Sequence, residues 1–371
     1  MKITRIETIL LKNAPGRIFA DAQHPFGTGT EELYVRVHTD EGVTGHANIG
    51  FGVGLHGARA VREIVARQCE PLLLGQDPFQ PRACRERLAA ELEYAGIEGL
   101  AHFAMTGLDT ALWDIMARAL GVPGWRLLGA CRDRLPTYAM VGWYYPEDDE
   151  LRLDGLRAAI EAALADGYRG VKIKVGRGSL DEDVRRIELA QALVGDGPVM
   201  VDANQVLARH EALRRGLVYE ELGVEWFEEP LRPHDKPGYA WLCDQLALPV
   251  ATGENEYGKY HVYELLAAGG CDILQPDRRR TAGPSEWLEI AGLAAAMHVP
   301  IASHGGDLAT VHLLMATPTA IWCETGGVPK GPGATVERPR IEDGWIYAPE
   351  APGFGLELRE ESIARRAVLR Q

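Results

Sequence analysis

The chain has 371 residues, of which 46% are hydrophobic and 25% are charged, a composition typical of a soluble globular protein with one large domain or two. Its formal net charge of −14 at pH 7 argues against nucleic acid and anionic membrane as partners, because both require a basic face. No segment approaches the roughly 20 apolar residues of a membrane span, and the N-terminus lacks the apolar core and cleavage site of a signal peptide.

The cysteines are scattered along the chain and none forms a Cys-x-x-Cys pair. They are Cys69, Cys84, Cys131, Cys243, Cys271 and Cys323. This spacing predicts reduced, mostly structural thiols in a cytoplasmic protein rather than a disulfide framework or a metal site.

Residues 1–130 are predicted to form an α+β domain. An opening strand is followed by a hairpin over 32–48 with an Asp-Glu-Gly turn. Helical periodicity follows over 58–74 and 101–120. The segment 13–30 between the first strands is rich in Gly and Pro and is interpreted as a long, mobile loop, since loops of that length are usually functional or disordered.

From about residue 135, short apolar strands alternate with helices of 10 to 15 residues. Strands are predicted at 137–143, 170–175, 198–203, 224–230, 248–254, 271–277, 299–305 and 320–325. Eight strands with seven intervening helices indicate a modified TIM barrel, (β/α)7β, over residues 131–340. The last residues, 341–371, supply no clear eighth helix and are expected to return to the capping domain.

The second to eighth predicted barrel strands carry polar or ionisable side chains at or near their ends. In chain order these are Lys172 and Lys174, Asp202 and Asn204, Glu228 and Glu229, Glu254, Asp277, His304, and Glu324. Active sites of such barrels lie at the C-terminal ends of the strands. The pattern therefore predicts one shared, charged mouth.

Three acids, Asp202, Glu228 and Glu254, follow one another at an equal spacing of 26 residues. A single acid after a strand often caps the next helix, but this spacing predicts the same height on adjacent strands. Unpaired carboxylates so close together would repel one another. Oxygen ligands without His or Cys favour a hard divalent cation, Mg²⁺ above all. Glu229 remains an alternative to Glu228.

The stretch Val171-Lys172-Ile173-Lys174-Val175 alternates in the manner of a strand, so both lysines share one face. Because helices cover the outside of a barrel, the apolar face packs outward and the lysines point inward. Lys174 lies nearer the strand end and is the preferred base. Lys172 and the cation are expected to lower its pKa.

His304 alone could be a core or capping histidine. It gains a chemical interpretation from Asp277 on the neighbouring strand, because a carboxylate on one ring nitrogen leaves the other free for proton transfer. Lys174 and His304, on the second and seventh strands, could then face opposite sides of a bound substrate.

These motifs together resemble those of the enolase superfamily, mandelate racemase subgroup. The matching segments are KIK (172–174), VDANQ (201–205), WFEEP (226–230), TGEN (252–255), QPD (275–277), SHG (303–305), WCET (322–325) and the interdomain stretch 107–129. The resemblance covers nearly the whole chain. It implies a (β/α)7β barrel capped by an α+β domain, commonly in a homo-oligomer.

The resemblance also implies roles for individual residues. Mg²⁺ would be bound by Asp202, Glu228 and Glu254. Lys174 would be the base on one face of the substrate, and His304, paired with Asp277, the acid or base on the other. Lys172 and a protonated Glu324 would contact the carboxylate or enolate oxygens of the substrate.

The chain departs from the family pattern after Asp277. The sequence there is Arg278-Arg279-Arg280-Thr281-Ala282-Gly283, where the family often has a Gly-Gly pair. This run is expected to alter the loop after the sixth strand and to add a cationic wall.

The function expected from these features is Mg²⁺-dependent removal of the proton α to a carboxylate, leading to dehydration of an acid sugar (an aldonate or aldarate) to a 2-keto-3-deoxy acid. Asn204, His24 and Tyr144 are the candidate substrate contacts, and the capping loop adds further polar residues. These are Arg17, Asp21, Gln23 and Thr28. Alternatives are a racemase or epimerase of a 2-hydroxy acid with the same Lys/His pair, and a non-catalytic metal-binding barrel.

Overall fold

The computed structural model describes residues 1–12, 19–26, 31–49, 57–94, 96–145, 153–326 and 334–370. Within these ranges every helix is too short or too polar to cross a lipid bilayer. Arg17 and Thr28, two of the loop residues considered above, lie outside the described residues.

The strands form one antiparallel sheet, one barrel and a small two-stranded ribbon. They are β1 (Ile3–Lys12), β2 (Phe19–Ala20), β3 (Pro25–Phe26), β4 (Glu31–Thr39), β5 (Thr44–Asn48), β6 (Arg134–Val141), β7 (Val171–Lys174), β8 (Val199–Asp202), β9 (Phe227–Glu228), β10 (Val250–Thr252), β11 (Ile273–Leu274), β12 (Ile301–Ala302), β13 (Ala320–Thr325), β14 (Arg340–Glu342), β15 (Trp345–Tyr347) and β16 (Ala367–Arg370).

The helices cover the sheet of the capping domain and the outside of the barrel. They are α1 (Gly57–Ile64), a π-helical turn (Val65–Cys69), α2 (Glu70–Leu73), α3 (Pro81–Leu92), α4 (Leu100–Leu120), α5 (Gly124–Leu127), α6 (Leu153–Ala165), α7 (Leu180–Val194), α8 (Arg209–Glu221), α9 (Lys236–Gln245), α10 (Gly258–Ala267), a 3-10 turn (Arg278–Arg280), α11 (Pro284–Ala296), α12 (Leu308–Met315) and α13 (Glu360–Arg366).

The capping domain is built on the antiparallel sheet β16-β1-β4-β5. Its β4–β5 hairpin is the one that the sequence predicts. Helix α4 packs so closely on this sheet that a Cβ at Gly45 would lie 2.0 Å from the carbonyl oxygen of Ala111. Any larger residue at position 45 would therefore push the helix off the sheet.

The barrel consists of parallel strands in the order β6 to β13, and it closes because β13 pairs with β6. The seven helices α6 to α12 lie between consecutive strands. This arrangement confirms the predicted (β/α)7β barrel with an α+β capping domain. After the barrel, β15 pairs antiparallel with β6, and β16 pairs with β1 of the capping sheet.

The two faces of the barrel strands have opposite chemistry. Val171, Ile173 and Val175 are buried against the apolar faces of the outer helices. Inside, a separate buried cluster closes the barrel below its mouth. Its members are Tyr138, Met200, Trp226, Ala251, Ile273 and Ala302. Lys172 and Glu324 are in register with Met200 and Tyr138 of this layer, and Lys174, Asp202 and Glu228 lie above it.

Helix α4 also fastens the capping domain to the barrel. Asp109 accepts hydrogen bonds from the backbone N–H and the hydroxyl of Ser285, both at 2.8 Å, at the start of α11. Thr106 donates to the carbonyl oxygen of Arg279 at 2.9 Å. A Cβ at Gly283 would lie 2.5 Å from the Asp109 carboxylate, and Gly283 has φ 96°. The loop after β11 is therefore shaped around this contact.

Substitution of Asp109 by asparagine should make the stability of the protein less dependent on pH between about 4 and 7. Burial raises the pKa of Asp109 to about 7 from its usual 3.8. Because the pKa is higher in the folded protein, this carboxyl group loses its proton at a lower pH in the unfolded chain. The free energy of unfolding therefore falls as pH rises from about 4 to 7, by at most about 4 kcal/mol. Asparagine keeps an acceptor for Ser285 and does not ionise.

Urea unfolding at pH 5 and pH 8 measures this effect. The free energy of unfolding should fall less between the two pH values in Asp109→Asn than in the parent protein. Asp235→Asn is the control, since Asp235 caps α9 and its pKa is lowered by Arg209. This substitution should therefore change the free energy of unfolding by the same amount at both pH values. An unchanged pH dependence in Asp109→Asn would contradict the prediction.

Candidate active site

Strand register brings three of the predicted residues side by side at the barrel mouth. Lys174 on β7 pairs with Asp202 on β8, and Asp202 pairs with Glu228 on β9. One layer lower, Lys172 pairs with Met200 of the apolar cluster. All three mouth residues are buried, with exposures of 4% for Lys174, 1% for Asp202 and 0% for Glu228.

Glu254 does not share this height. The residue opposite Glu228 on β10 is Ala251, so Glu254 lies three positions farther along, beyond the end of the strand at Thr252. The expectation of equal heights was therefore wrong for Glu254. Gly253 has φ 129°, a conformation open mainly to glycine, and it redirects the chain before Glu254. Equal spacing in sequence did not translate into equal height.

Both lysines point into the barrel, as the alternation predicts. The Lys172 Nζ contacts carboxylate oxygens of Glu228 and Glu324 and lies 3.8 Å from Asp202. The Lys174 Nζ lies 2.6 Å from an Asp202 oxygen. The two ammonium groups thus sit among the carboxylates rather than in water.

The pKa values of Lys174 and Glu324 depend on the charges beside them. Burial and Lys172 lower the pKa of Lys174, but the contact with Asp202 outweighs them and raises it. The low pKa expected for Lys174 includes the effect of the cation, and it stays a prediction. Burial opposes ionisation of Glu324, yet Lys172 and His304 lower its pKa to about 2. The protonated Glu324 of the expected mechanism likewise stays a prediction.

The adjacent acids Glu228 and Glu229 face different neighbours. Glu228 contacts Lys172 and accepts hydrogen bonds from Trp226 Nε1 at 3.2 Å and Gln275 Nε2 at 2.6 Å. Glu229 has φ 39° and turns to other partners. These are Gln205 Nε2 at 3.1 Å and Asn255 Nδ2 at 2.7 Å.

The acids outnumber the cations at the mouth. Burial and nearby carboxylates raise the pKa of Glu228 to about 7 despite Lys172, and they raise that of Glu229 well above its usual value. Such shifts mark a site where negative charge is not fully compensated. In addition, Asn204 Oδ1 is buried without a hydrogen-bond partner.

In the described ranges, no three His, Cys, Asp or Glu side chains are arranged as a finished cation site. The reason is visible in the contacts, because the lysines hold Asp202 and Glu228. The donor chemistry nevertheless fits a hard divalent cation. It offers carboxylate oxygens, an unpartnered amide oxygen and an excess of negative charge.

His304 and Asp277 form the predicted pair. The His304 Nδ1 lies 3.0 Å from Asp277, and its Nε2 lies 3.2 Å from Glu254 on the other side of the ring. Burial lowers the pKa of His304, but Glu254 and Asp277 raise it above the usual value. Burial opposes ionisation of Asp277, but Arg279 and His304 hold its pKa well below the usual range.

The arginine run does not form the expected cationic wall. Arg278 pairs with Asp307, with Nε 2.7 Å from Oδ1. Arg279 and Arg280 both bind Asp277, at 2.6 Å and 3.0 Å. Each guanidinium is thus committed to a carboxylate. Ala282 has φ 52°, which costs a non-glycine residue about 1–2 kcal/mol, and the expected change in the shape of this loop stays a prediction.

The candidate substrate contacts have different outcomes. Asn204 donates to Asp202 at 3.1 Å, so it is part of the mouth. His24 lies beside Asp21 and Gln23, at 3.3 Å and 3.1 Å, and its role stays a prediction. Tyr144 was wrongly predicted to face the substrate, since it is buried with its hydroxyl 3.3 Å from the carbonyl oxygen of Lys174.

Trp143 is the residue that the sequence reading missed. Tyr138 faces the barrel interior, so simple alternation along β6 would also turn Tyr144 inward and Trp143 outward. Gly142 has φ 73° and reverses this order. The Trp143 ring now covers Lys174, with its centroid 4.6 Å from Nζ. A glycine before an aromatic residue at a strand end was the available signal.

Comparisons with known proteins identify the family of the chain. Residues 155–362 match the family model described as "Enolase C-terminal domain-like". Residues 8–129 match "Mandelate racemase / muconate lactonizing enzyme, N-terminal domain". The chain belongs to the mandelate racemase/muconate lactonizing enzyme family. The resemblance seen in the sequence motifs is thereby confirmed.

Relatives in this family cover almost the whole chain. The 3,6-anhydro-α-L-galactonate cycloisomerase of Streptomyces coelicolor is 32% identical over 99% of both chains. The arabinonate dehydratase of Saccharolobus solfataricus is 29% identical over 91% of this chain and 90% of its own. A crystal structure of L-talarate dehydratase from Polaromonas, complexed with Mg and L-glucarate, superposes with a TM-score of 0.88 at 28% identity, covering 100% of this chain and 98% of its own.

Proposed function

We propose that the protein is an acid-sugar dehydratase that removes the proton α to a carboxylate with the help of Mg²⁺ and forms a 2-keto-3-deoxy acid. One observation carries the proposal. The acids of the mouth lie between two proton-transfer groups, since Lys174 contacts Asp202 and His304 contacts Glu254. A substrate held at these acids would have one such group on each side.

Asp202, Glu228 and Glu254 would hold the cation. When bound, it would supply positive charge next to the substrate carboxylate and so make the α-hydrogen more acidic. Lys174 would accept that hydrogen. In the present arrangement Asp202 raises the pKa of Lys174, whereas burial and Lys172 lower it. With Asp202 bound to the cation, burial and Lys172 would together lower the pKa of Lys174 and leave its amine neutral.

Lys172 would remain charged throughout, because its neighbouring carboxylates raise its pKa well above the usual value in spite of burial. It would donate hydrogen bonds to the oxygens that gain negative charge as the α-proton leaves. His304, protonated because Glu254 and Asp277 raise its pKa, would donate a proton to the β-hydroxyl. The C–O bond breaks, water departs, and the enol product becomes a 2-keto acid.

The names of the relatives support this class of chemistry. They include dehydratases of arabinonate, galactonate and L-talarate or galactarate. Cycloisomerisation is the second candidate, because a cycloisomerase matches the chain over 99% of its length. There the departing β-oxygen would belong to a ring, and the same residues would transfer the protons.

The test is a panel of aldonates, aldarates, sugar lactones and anhydro acids incubated with the protein in D₂O with Mg²⁺. We expect at least one acid to form a 2-keto acid with deuterium at C3, where the enol takes up a deuteron from solvent, both followed by NMR. A product of unchanged mass and altered ring structure would instead indicate a cycloisomerase. Deuterium at the α-carbon with inversion and no loss of water would indicate a racemase or epimerase. Absence of both a 2-keto acid and deuterium exchange with every acid would refute the proposal.

A further inference from the structure

An aromatic surface covers one side of the barrel mouth. It consists of Trp143, directly after β6, and Phe19 of β2. The Trp143 ring lies over the Lys174 ammonium group, with the centroid 4.6 Å from Nζ. The Phe19 and Trp143 rings meet edge to face, with centroids 4.9 Å apart and an interplanar angle of 68°. Neither residue belongs to the predicted catalytic set.

The surface is held in place by the barrel itself. The backbones of Ala20 and Tyr144 exchange two hydrogen bonds, at 2.8 Å and 2.9 Å. Arg177 donates to the carbonyl oxygen of Asp21 at 3.1 Å. The Tyr144 ring packs on the guanidinium of Arg186, 4.5 Å from its centroid. Phe19 is thereby fixed beside Trp143, which has little freedom to turn away from Lys174.

This surface makes the two sides of the site chemically unequal. The Lys174 side presents an indole face next to an ammonium group that Asp202 already engages at 2.6 Å. The indole face cannot accept or donate a conventional hydrogen bond to a hydroxyl group. The His304 side presents imidazole, carboxylate and guanidinium groups. A hydroxyl buried against the indole would lose its partner in water and gain none. An α-hydrogen in the same position would lose nothing.

We propose that Trp143 is a specificity-determining residue that selects the configuration at the α-carbon. The accepted epimer directs its α-hydrogen toward Lys174 and Trp143 and its α-hydroxyl toward the polar side. The opposite epimer would bury its hydroxyl against the indole. This role of Trp143 rests on the proposed function and makes it more specific, because a site that rejects one epimer favours one-way dehydration over racemisation.

The experiment compares C2-epimeric acids, galactonate with talonate and arabinonate with ribonate, in Mg²⁺ buffer. Affinity is measured by calorimetry and, where turnover occurs, kcat and KM are measured separately. In the parent protein one epimer of a pair should bind at least about ten-fold more tightly than the other. A buried hydroxyl without a hydrogen-bond partner lowers affinity by a factor of that order. Trp143→Phe should keep the preference within about two-fold.

Trp143→Tyr provides the decisive contrast, because it differs from Trp143→Phe by one hydroxyl group and retains the packing on Phe19. That hydroxyl can pair with the α-hydroxyl of the disfavoured epimer, so the preference should fall about five-fold or more, mainly through tighter binding of that epimer. Trp143→Ala should lose the preference as well. Circular dichroism spectra that match the parent confirm folding of each variant.

The outcomes separate the inference from the proposed function. If no acid exchanges its α-hydrogen, the proposed function fails, while the epimer affinities still test Trp143. If turnover occurs but Trp143→Tyr and Trp143→Phe show the same epimer ratio as the parent, the role of Trp143 is overturned and the proposed function stands. Absence of any epimer preference in the parent protein also overturns the inference.

Discussion

Replacing Lys174 with alanine is expected to lower kcat for α-proton removal by about 10³-fold or more, since a positioned general base contributes 10² to 10⁴ and no water can take its buried place efficiently. The Lys174 Nζ is the nitrogen that lies next to Asp202 and beneath the Trp143 ring. Cation binding should be as tight as in the parent protein or tighter, because the variant removes a competing positive charge from Asp202.

Deuterium exchange at the α-carbon and calorimetric titration with Mg²⁺ measure the two effects independently. Lys236→Ala is the matched control, because Lys236 is also a partly buried lysine, 3.3 Å from Glu256, but lies in helix α9 outside the mouth. Its exchange rate should equal that of the parent. Retention of more than about a tenth of the parental rate by Lys174→Ala would assign the base to another residue.

Replacing Glu228 with glutamine should weaken Mg²⁺ binding by about 10²-fold or more and remove the cation-dependent activity, because the site loses a central negative charge. The variant should remain folded. Glu228 is 0% exposed and burial raises its pKa to about 7, so a neutral amide of the same shape relieves the desolvation that opposes the carboxylate.

The adjacent residue supplies the control. Glu229→Gln changes an equally buried acid that faces Gln205 and Asn255 instead of Lys172, and we expect it to reduce Mg²⁺ affinity much less. Titration with Mg²⁺ and Mn²⁺, together with activity after treatment with a chelator, provides the measurements. Equal losses in the two variants, or full activity in chelator-treated protein, would contradict the assignment of Glu228.

The fold was predictable because its signals are local and repeated. Helix α7 spans Leu180–Val194, within the predicted length of 10 to 15 residues, since Ser179 accepts a hydrogen bond from the Glu182 N–H as an N-cap and Gly195 follows the last turn. The inward lysines were predictable for the same kind of reason, because strand alternation fixes which side chains share a face. The six strands β7 to β12 are shorter than predicted, as β9 shows with Phe227–Glu228, whereas β13 has the predicted bounds and β6 starts earlier, at Arg134.

The site was predictable in its members and less so in its geometry. Two glycines explain the principal errors. Gly253 shifts Glu254 past the height of Glu228, and Gly142 exchanges the directions of Trp143 and Tyr144. Alternation holds only while the backbone stays extended, and a positive φ breaks it. Spacing in sequence therefore located the acids without fixing how they meet.

By itself, the sequence determined the architecture, the residues gathered at the barrel mouth and the family, because periodicity and strand-end chemistry are written along the chain. Only the tertiary structure decided the partners of each charge. It placed Arg279 on Asp277, Lys172 between Glu228 and Glu324, and an indole over Lys174. These pairings shift the pKa values of Asp277, Lys172, Glu324 and Lys174, and they depend on distances between strands that no local pattern encodes.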